Sequence, residues 1–495
     1  MCIALYFSFR MATKRRRKLL ANETETRHID EQFQRLGLSI MNLPTAVVVE
    51  ILLKLSAKSV VACKSVCKAW HGLISDPQFA ELHFAQAKPC ALVRTEEKTR
   101  ISRALYVVDP EDVRGFDFGE CSCEEATSEW DVYCNCYKSM KLGSKLKIPL
   151  RNAQFALGEK DGANVSLQAE NGASRKRCTK LNLKPRDHKC NVVNSCNGLL
   201  CLSEPLRNNP VAICNPITGE FVNLPKAFHS ANYDSFVDCG LGFSTGTNQY
   251  KVVRIITRFW VRFEGGLNNY HSTVAEVHTL GTSSWRRIGD GPYSRRKLGF
   301  PTFLNGFLHW LCIDKGGPEC IVSFNLDNEQ FQSVPPPPCL ARGIWRNTSL
   351  GVLRGCLCVC LATSESDPFD LWVMEEYGDG KSWTPLVSIA RHDHKWTLGV
   401  YQPIDLKDEE LLLFHCSNNA LIYYHLRSTK FKFLKVRGLK SVYEAITHTP
   451  RFTPLTDILK GCNVEVQNTN SRYEYANSNF INPDCLRSYV DHLCD

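Results

Sequence analysis

A strand, a tight polar turn and a second strand are predicted by the stretch Asn325-Leu-Asp-Asn-Glu-Gln-Phe331, which Val334-Pro335 follows. Four other stretches repeat this order of apolar run, polar turn and apolar or aromatic residue: Asn215–Phe221 with Leu224-Pro225, Leu280–Trp285, Tyr377–Trp383 and His425–Phe431. Successive units begin 65, 45, 52 and 48 residues apart. Spacings of about 40–50 residues are typical of β-propeller blades, each a small antiparallel sheet that buries its faces only against its neighbours. The 65-residue interval predicts a longer connection or a further hairpin.

Short runs rich in β-branched and aromatic residues surround these turns, and Gly, Asn, Pro and Ser separate the runs. They include Leu199–Leu202, Tyr250–Ile256, Ala275–Leu280 and Gly306–Leu311. No long amphipathic helix lies between them, which argues against a parallel α/β sheet. The sequence therefore predicts an all-β, propeller-like domain over residues 88–446, with a polar insertion at about 110–185 and a mobile C-terminal tail over 447–495. The strands Ala91–Val93 and Ala104–Val108 are predicted to complete the first blade.

Residues 38–86 have a helical period instead. Five apolar residues recur at steps of three and four positions and form one stripe: Val47, Val48, Ile51, Leu52 and Leu55. Pro44 is expected in the first turn of this helix, a second run extends from Val60 to Ile74, and Asp76-Pro77 supplies an N-cap and a first-turn proline for a third helix. Fewer than fifty residues of this kind form a marginal core. Part of their apolar surface is therefore predicted to belong to a partner or to the downstream domain.

Composition and charge narrow the function classes. The 495 residues are 43% hydrophobic and 22% charged, which is typical of a packed globular chain, and no apolar run approaches membrane-spanning length. Five of the nine net positive charges lie in Lys14-Arg15-Arg16-Arg17-Lys18. A nucleic-acid binder spreads its cations over a folded face. Residues 1–37 are therefore predicted to be a disordered basic tail or to carry a nuclear import signal, and neither nucleic acid nor a membrane is expected as a partner. Because the apolar stretch precedes the basic run, the order of a secretory signal is reversed, and the expected location is the nucleus, the cytoplasm or both.

The 24 cysteines are expected to be mostly buried thiols in a reducing compartment. Cys356, Cys358 and Cys360 alternate along one predicted strand, which places them on one face. Two Cys-x-Cys units and a His-x-Cys unit could suggest a metal site: Cys121 with Cys123, Cys134 with Cys136, and His188 with Cys190. One intervening residue is the wrong spacing for the pairs that hold zinc. A mobile acidic loop is therefore predicted there, and no metal.

No motif of a known enzyme class stands out. The chain has no His-Glu-x-x-His pair and no phosphate-binding loop. Gly240-x-Gly242 lacks both the spacing and the following helix of a dinucleotide loop, so a turn is predicted. His309 lies in a strand pattern and is interpreted as a satisfied core or rim histidine. The prediction is a chain without catalytic residues or cofactors, although a spatial Ser-His-Asp arrangement stays open at this point.

The N-terminal helices resemble an F-box. The resemblance rests on these residues: Leu43-Pro44, Val49–Leu52, Leu55, Lys58–Val60 and Val66-Cys67-Lys68-x-Trp70-x-x-Leu73–Pro77-x-Phe79. It implies a three-helix module that docks onto a Skp-type adaptor and thereby joins a cullin-based ubiquitin ligase. It also implies adaptor-contacting positions, at Leu43, Pro44, Ile51, Leu52, Val66, Cys67 and Trp70. The chain departs from the family at Thr45-Ala46, where an acidic residue is usual, and at Ser56, where a proline is usual.

The C-terminal two-thirds resembles the F-box-associated interaction domain of plant F-box proteins. The motifs that carry the resemblance occur in the family's order over roughly 190–445: Asn194–Leu202, Cys214–Glu220, Tyr250–Val253, Ser284–Arg286, Ile321–Asn325, Leu371–Gly378 and Ser382-Trp383. The resemblance implies a kelch-like propeller that captures a target protein for ubiquitination. Phe259–Phe263 and Pro335–Pro338 are candidate target contacts, with an inter-blade connection as the alternative.

Two other functions stay open from the sequence. The chain could bind the adaptor outside a ligase, for example to sequester a partner. Alternatively, the propeller could bind a glycan or a small molecule, with a vestigial F-box. The identity of the target is not encoded in any motif of the chain.

Overall fold

A computed structural model describes residues 43–95, 104–108, 140–141, 145–149, 190–204, 208–227, 235–261, 269–292, 298, 300–313, 319–342, 347–362, 369–389, 399–416, 420–427, 431–434, 436–437 and 442–469. The predicted N-terminal tail, its basic run and nearly all of the polar insertion lie outside these residues. The chain divides into two compact units. One comprises Met1–Lys88 with Thr449–Thr453, and the other comprises Pro89–His448 with Pro454–Asp495.

The described part of the N-terminal unit contains four helices rather than the three predicted. They are α1 (Thr45–Leu53), α2 (Ala57–Cys63), α3 (Lys68–Ser75) and α4 (Pro77–Gln86). The second predicted helix is divided because Cys67 takes an extended backbone, with φ −156° and ψ 165°. Pro44 precedes α1 instead of lying in its first turn, and its carbonyl accepts the N–H of Val47 at 2.9 Å.

Six antiparallel sheets of at least four strands form the second unit, among the residues described, and they are the blades of a β-propeller. The first blade contains β1 (Cys90–Thr95), β2 (Ala104–Val108), β4 (Lys145–Lys147) and β26 (Val442–His448). The second contains β5 (Asn191–Cys196), β6 (Leu199–Ser203), β7 (Pro210–Asn215) and β8 (Glu220–Asn223). The third contains β9 (Ser235–Ser244), β10 (Gln249–Val261), β11 (Asn269–Thr279) and β12 (Arg286–Gly289).

The remaining blades follow the same order along the chain. The fourth contains β13 (Thr302–Leu304), β14 (Phe307–Ile313), β15 (Glu319–Asn325) and β16 (Gln330–Val334). The fifth contains β17 (Ser349–Leu353), β18 (Cys356–Leu361), β19 (Phe369–Met374) and β20 (Trp383–Ile389). The sixth contains β21 (Tyr401–Lys407), β22 (Glu410–His415), β23 (Ala420–His425) and β24 (Phe431–Leu434). A two-residue parallel pair joins β3 (Met140–Lys141) and β25 (Val436–Arg437).

The propeller is closed by strands from its two ends. β26 pairs antiparallel with β1, and the register places Cys90 opposite His448 and Leu92 opposite Ile446. The closed ring removes the exposed ends that an open array of blades would have. The prediction that the two early strands complete the first blade is thereby confirmed.

Both faces of each blade are apolar because each face packs on a neighbouring blade. On β1, Cys90 and Leu92 pack in a cluster with blade 2, whereas Ala91 and Val93 pack in a cluster with blade 6. The same arrangement explains why the strands read as continuous apolar runs instead of alternating polar and apolar residues. Cys358 and Cys360 lie on one face of β18 and are fully buried, as predicted, whereas Cys356 at the start of the strand is only half-buried.

The recurring sequence unit is the turn between the third and fourth strands of a blade. It joins β7 to β8, β11 to β12, β15 to β16, β19 to β20 and β23 to β24. In two of these turns an asparagine side chain holds the backbone: Asn215 Oδ1 accepts the N–H of Ile217 at 2.9 Å, and Asn325 Oδ1 accepts the N–H of Asp327 at 2.8 Å. The asparagine is favoured because its short side chain bonds to the backbone two residues later.

Where the unit ends in a tryptophan, that side chain forms a hydrogen bond with the segment that follows the preceding blade. Trp285 Nε1 donates to the carbonyl of Pro225 at 2.8 Å, and Trp383 Nε1 donates to the carbonyl of Pro335 at 2.9 Å. The repeated tryptophan and proline of the sequence are therefore the two ends of one inter-blade hydrogen bond. Pro335 is an inter-blade residue, which was the alternative to its role as a target contact.

Gly240 and Gly242 lie inside β9, so the predicted turn is wrong. A Cβ at Gly242 would lie 2.3 Å from Leu326 Cδ1, and a Cβ at Gly240 would lie 3.2 Å from Trp310 Cζ2. These glycines let β9 approach the fourth blade closely, which is a structural reason for a glycine within a strand.

Residues 449–469, which the sequence assigned to a mobile C-terminal tail, have a defined structure. Helix α5 (Leu455–Ile458) packs in an apolar cluster with the second and third blades, and β27 (Gln467–Asn468) pairs with β8 as a fifth strand. Glu220 fixes this segment, since its carboxylate accepts the backbone N–H of Leu455 at the start of α5. Sequence pattern missed the segment because its apolar residues are too few to show a period.

Candidate functional site

The seven predicted adaptor-contacting residues differ in how much surface they offer. Pro44 is exposed, and four others are half-buried: Leu43, Ile51, Val66 and Cys67. Leu52 is fully buried and Trp70 is 5% exposed. Leu52 and Trp70 therefore belong to the core of the unit, where they hold α1 and α3 in place. Direct contact with an adaptor stays a prediction for all seven residues.

The spacing of Cys67 and Trp70 has a local structural cause. Cys67 is the N-cap of α3, and its Sγ accepts the backbone N–H of Trp70 at 3.4 Å. An N-cap side chain satisfies one of the free N–H groups in the first turn of a helix. The bond fixes Trp70 in that first turn, from where its ring is buried. The next helix is capped in the usual way, because the Asp76 carboxylate accepts the N–H of Gln78 at 2.8 Å and of Phe79 at 3.3 Å.

Two exposed apolar residues of this unit were not among the predicted contacts. Val47 on α1 is 42% exposed, and Leu82 on α4 is 44% exposed. Their neighbours Val48 and Phe79 are buried. The helical period detected the apolar stripe but could not say which edge of it faces outward. The exposed run Pro44-Thr45-Ala46-Val47 carries no charge, and this is the signal that could have indicated an uncovered apolar edge.

Residues from far along the chain complete the N-terminal unit. Arg451 Nη2 pairs with Glu81 Oε1 at 2.7 Å, and the Thr453 hydroxyl donates to the same oxygen at 2.9 Å. The Phe452 ring meets the His83 ring edge-on, with 4.9 Å between centroids. Burial by itself would raise the pKa of the Glu81 carboxyl. The hydrogen bonds from Arg451 and Thr453, together with the charge of Arg451, have the larger effect, so the pKa of Glu81 is lowered. The last helix is thus packed by a segment that follows β26.

His309 is a satisfied core histidine, as predicted. It is fully buried, its Nδ1 lies 3.0 Å from the Thr302 carbonyl, and its Nε2 lies 2.7 Å from the Tyr377 hydroxyl. Burial lowers its pKa to about 4, against the opposing effect of the bond to Thr302. Both ring nitrogens are occupied by groups of the fourth and fifth blades, so the ring joins blades and presents no free nitrogen to a substrate.

The residues considered for a metal site do not come together in the described chain. Within it, no three His, Cys, Asp or Glu side chains lie together in a way that suits a metal ion. The two Cys-x-Cys units and His188 fall outside the described residues, while Cys190 is a buried thiol of the propeller core. No helix in the described residues is both long and apolar enough to cross a membrane.

Comparison with known families matches both units. The profile of the F-box associated beta propeller domain matches residues 156–458, and the F-box-like profile matches residues 40–82. The F-box-like profile falls on the helical unit, and the propeller profile falls mainly on the strands of the second unit. The chain belongs to the plant F-box proteins with an F-box-associated β-propeller domain.

Several relatives in Arabidopsis thaliana are F-box proteins by name. F-box protein At3g07870 is 30% identical in an alignment of 296 residues that covers 52% of this chain and 68% of that protein. F-box protein CPR1 is 24% identical in an alignment of 455 residues that covers 87% of this chain and 92% of the relative. F-box/kelch-repeat protein At3g23880 is 26% identical in an alignment of 400 residues that covers 77% of this chain and 90% of the relative. No catalytic family is among these matches.

Proposed function

We propose that this chain is the target-recognition subunit of an SCF-type (Skp-cullin-F-box) ubiquitin ligase. The observation that carries the proposal is the presence, on one chain, of an F-box-like helical unit with uncovered apolar residues and of a closed propeller. In this function the helical unit binds a Skp-type adaptor and, through it, a cullin. The propeller binds the protein to be ubiquitinated.

The adaptor-binding surface is proposed to centre on the exposed edge of α1. Pro44 and Val47 offer apolar area there, and the half-buried Leu43, Ile51 and Val66 extend the predicted set. Transfer of apolar area from water contributes about 25 cal/mol for each Å² buried. Trp70 and Leu52 act indirectly in this proposal, because they fix the helices on which the contacting residues lie.

No chemical step is assigned to this chain. Ubiquitin transfer needs the target to be held near a charged conjugating enzyme, and tethering raises the effective concentration of the two reactants. A propeller is suited to that task because each blade packs on two neighbours and holds its loops on a rigid frame. Nuclear import through Lys14, Arg15, Arg16, Arg17 and Lys18 stays a prediction.

The test is recovery of a Skp-type adaptor and a cullin with the full chain. Val47→Asp places a charge on the exposed apolar edge, and Ala85→Asp is its matched control, an equally charged change at an exposed position on α4. We expect the wild type and Ala85→Asp to recover both proteins, and Val47→Asp to lose them while keeping its thermal unfolding temperature.

Other outcomes separate the remaining possibilities. Failure of the wild type to recover the adaptor would contradict the proposal. Recovery of the adaptor without a cullin would instead favour a chain that acts outside the ligase. Equal loss in both aspartate variants would show that added charge, not the α1 edge, causes the effect.

A further inference from the structure

One strand at the outer rim of the propeller lacks the features that usually keep a sheet edge from pairing. An outermost strand presents unpaired N–H and C=O groups, and proteins protect such edges with a covering strand, charged side chains, proline or a bulge. β16 is the outermost strand of blade 4, and no described strand pairs with its outer side. Its residues, Gln330–Val334, include neither a charged residue nor a proline. Its register with β15 runs through all five residues without a shift.

The other five outer strands each have at least one protective feature. β27 covers β8. β12 has two exposed arginines, Arg286 and Arg287, and its register with β11 shifts after Ala275. β20 contains Pro385, and its register with β19 shifts after Leu371. β4 and β24 contain lysines, which are Lys145, Lys147 and Lys432. Among the outer strands that the structure describes, β16 is therefore the one that is open to a further strand.

Blade 2 shows what an outer edge of this propeller can hold. The recurring turn is equivalent in the two blades, since Asn215 holds it in blade 2 and Asn325 holds it in blade 4. After the turn in blade 2, Phe221 pairs with Gln467 of β27 and is 4% exposed. Phe331 has the same place in blade 4, where no described strand is added, and it is only half-buried. A fifth strand thus fits at the outer edge of a blade.

The side chains of β16 favour an identical strand as the partner. Two copies that pair through the same edge are related by a two-fold axis, so each residue meets the same strand in reverse order. An axis at Gln332 sets this residue against its own counterpart in the second copy, and Phe331 then lies opposite Ser333. A glutamine amide has both donors and an acceptor, so two identical glutamines can bond to each other. Gln330, Gln332 and Ser333 are exposed and available for such contacts.

The charge of the edge suits the same partner. Like charges that lie directly opposite each other destabilise a strand pair, and a charged edge would meet itself in this arrangement. Glu329 precedes β16, but its carboxylate is paired with Lys251 at 2.9 Å and with Arg286 at 2.6 Å. The four residues that follow β16 are the prolines 335–338. Because proline has no N–H to donate, the pairing ends there, and a contact this short gives a concentration-dependent association.

We propose that β16 is a self-association edge, through which two copies of this chain pair antiparallel about a two-fold axis. The two fourth blades then form one eight-stranded sheet. The inference does not depend on the ligase role. In combination with that role, two linked propellers would hold a target that has two binding segments more tightly than one propeller does.

The experiment measures the oligomeric state of the full chain by sedimentation velocity at concentrations between about 1 and 100 μM. Gln332→Lys places two positive charges opposite each other at the axis. Ser388→Lys is the matched control, because it adds the same charge at an exposed position of another outer strand, β20. We expect the wild type and Ser388→Lys to change from monomer to dimer as the concentration rises. The dimer Kd of Gln332→Lys should be at least about tenfold higher.

A charge exchange tests the register directly. Gln332→Glu should also weaken the dimer, whereas an equimolar mixture of Gln332→Lys and Gln332→Glu sets opposite charges across the axis and should restore it. A mixture that restores nothing would contradict the two-fold pairing at Gln332. Thermal unfolding of each variant checks that the propeller itself is intact.

Three further results would overturn the proposal. One is a wild type that stays monomeric at every concentration, and another is a Gln332→Lys variant that dimerises as readily as the wild type. The third is a monomeric wild type that binds a target in the adaptor complex when Gln332→Lys does not, which would assign the edge to an extended segment of another protein. Recovery of adaptor and cullin reports separately on the ligase role.

Discussion

Removal of the inter-blade indole hydrogen bond should weaken the propeller by a predictable amount. Trp383→Phe keeps an aromatic ring at a position that is 5% exposed, but it deletes the donor that lies 2.9 Å from the Pro335 carbonyl. An intramolecular hydrogen bond contributes about 1 kcal/mol, and an acceptor left without a partner in a partly buried site costs about 1–3 kcal/mol. We therefore expect a loss of about 1–3 kcal/mol beyond the loss of ring area.

Trp310→Phe is the matched control for this substitution. Trp310 is fully buried in the same domain, and no described group accepts a hydrogen bond from its Nε1. The control therefore removes a comparable ring without removing a bond, and it also relieves a buried donor that has no acceptor. Trp383→Phe should be the more destabilising of the two by about 1–3 kcal/mol.

Calorimetric unfolding of the full chain measures the difference. The unfolding temperature of the propeller should be about 1–4 °C lower in Trp383→Phe than in Trp310→Phe, since the shift per kcal/mol shrinks as a domain grows. Trp285→Phe should behave like Trp383→Phe, because its bond to the Pro225 carbonyl is equivalent. If the control is destabilised as much as the two donor variants, the indole bonds do not fasten the blades and the reasoning is refuted.

Three further predictions concern protonation, the N-terminal unit and the thiols. Burial lowers the pKa of His309 to about 4 and that of His448 to about 3, so the unfolded chain takes up protons more readily. The propeller should have its full stability above about pH 6.5 and lose stability as the pH falls toward 4. Unfolding temperatures measured between pH 8 and pH 4 test this. An unfolding temperature that does not change with pH would contradict the conclusion that these two histidines are buried in their neutral form. Glu81→Arg and Arg451→Glu should each destabilise α4 by about 0.2–1 kcal/mol, and the double variant should restore its stability. Hydrogen exchange of α4 measures this change. A double variant that restores nothing would mean that the pair at 2.7 Å is dispensable. Cys462 is exposed, whereas burial raises the pKa of the Cys214 and Cys360 thiols. Alkylation mapped by mass spectrometry should therefore modify Cys462 before Cys214 and Cys360, and earlier labelling of either buried thiol would be the contrary result.

Much of the propeller could be predicted from the sequence because its turns and strands are determined by residues that lie close together in the chain. The turn of a recurring unit is stabilised by residues of that unit, as the Asn325 side chain shows. Each blade has two apolar faces to bury, so the same strand pattern recurs along the chain. Local pattern likewise located the Asp76 cap and the buried thiols of β18. The resemblance to known motifs supplied the family, which the profile matches then showed.

Long-range packing decided the rest. The blade number followed from the pairing of β26 with β1, which lie some 350 residues apart in the sequence and show no pattern that links them. Gly242 is a strand glycine only because Leu326 of another blade lies against it. Val47 is exposed while Val48 is buried, although both belong to one stripe. A hydrophobic period records which residues avoid water, and only the folded chain determines which neighbours cover them and which residues are left for a partner.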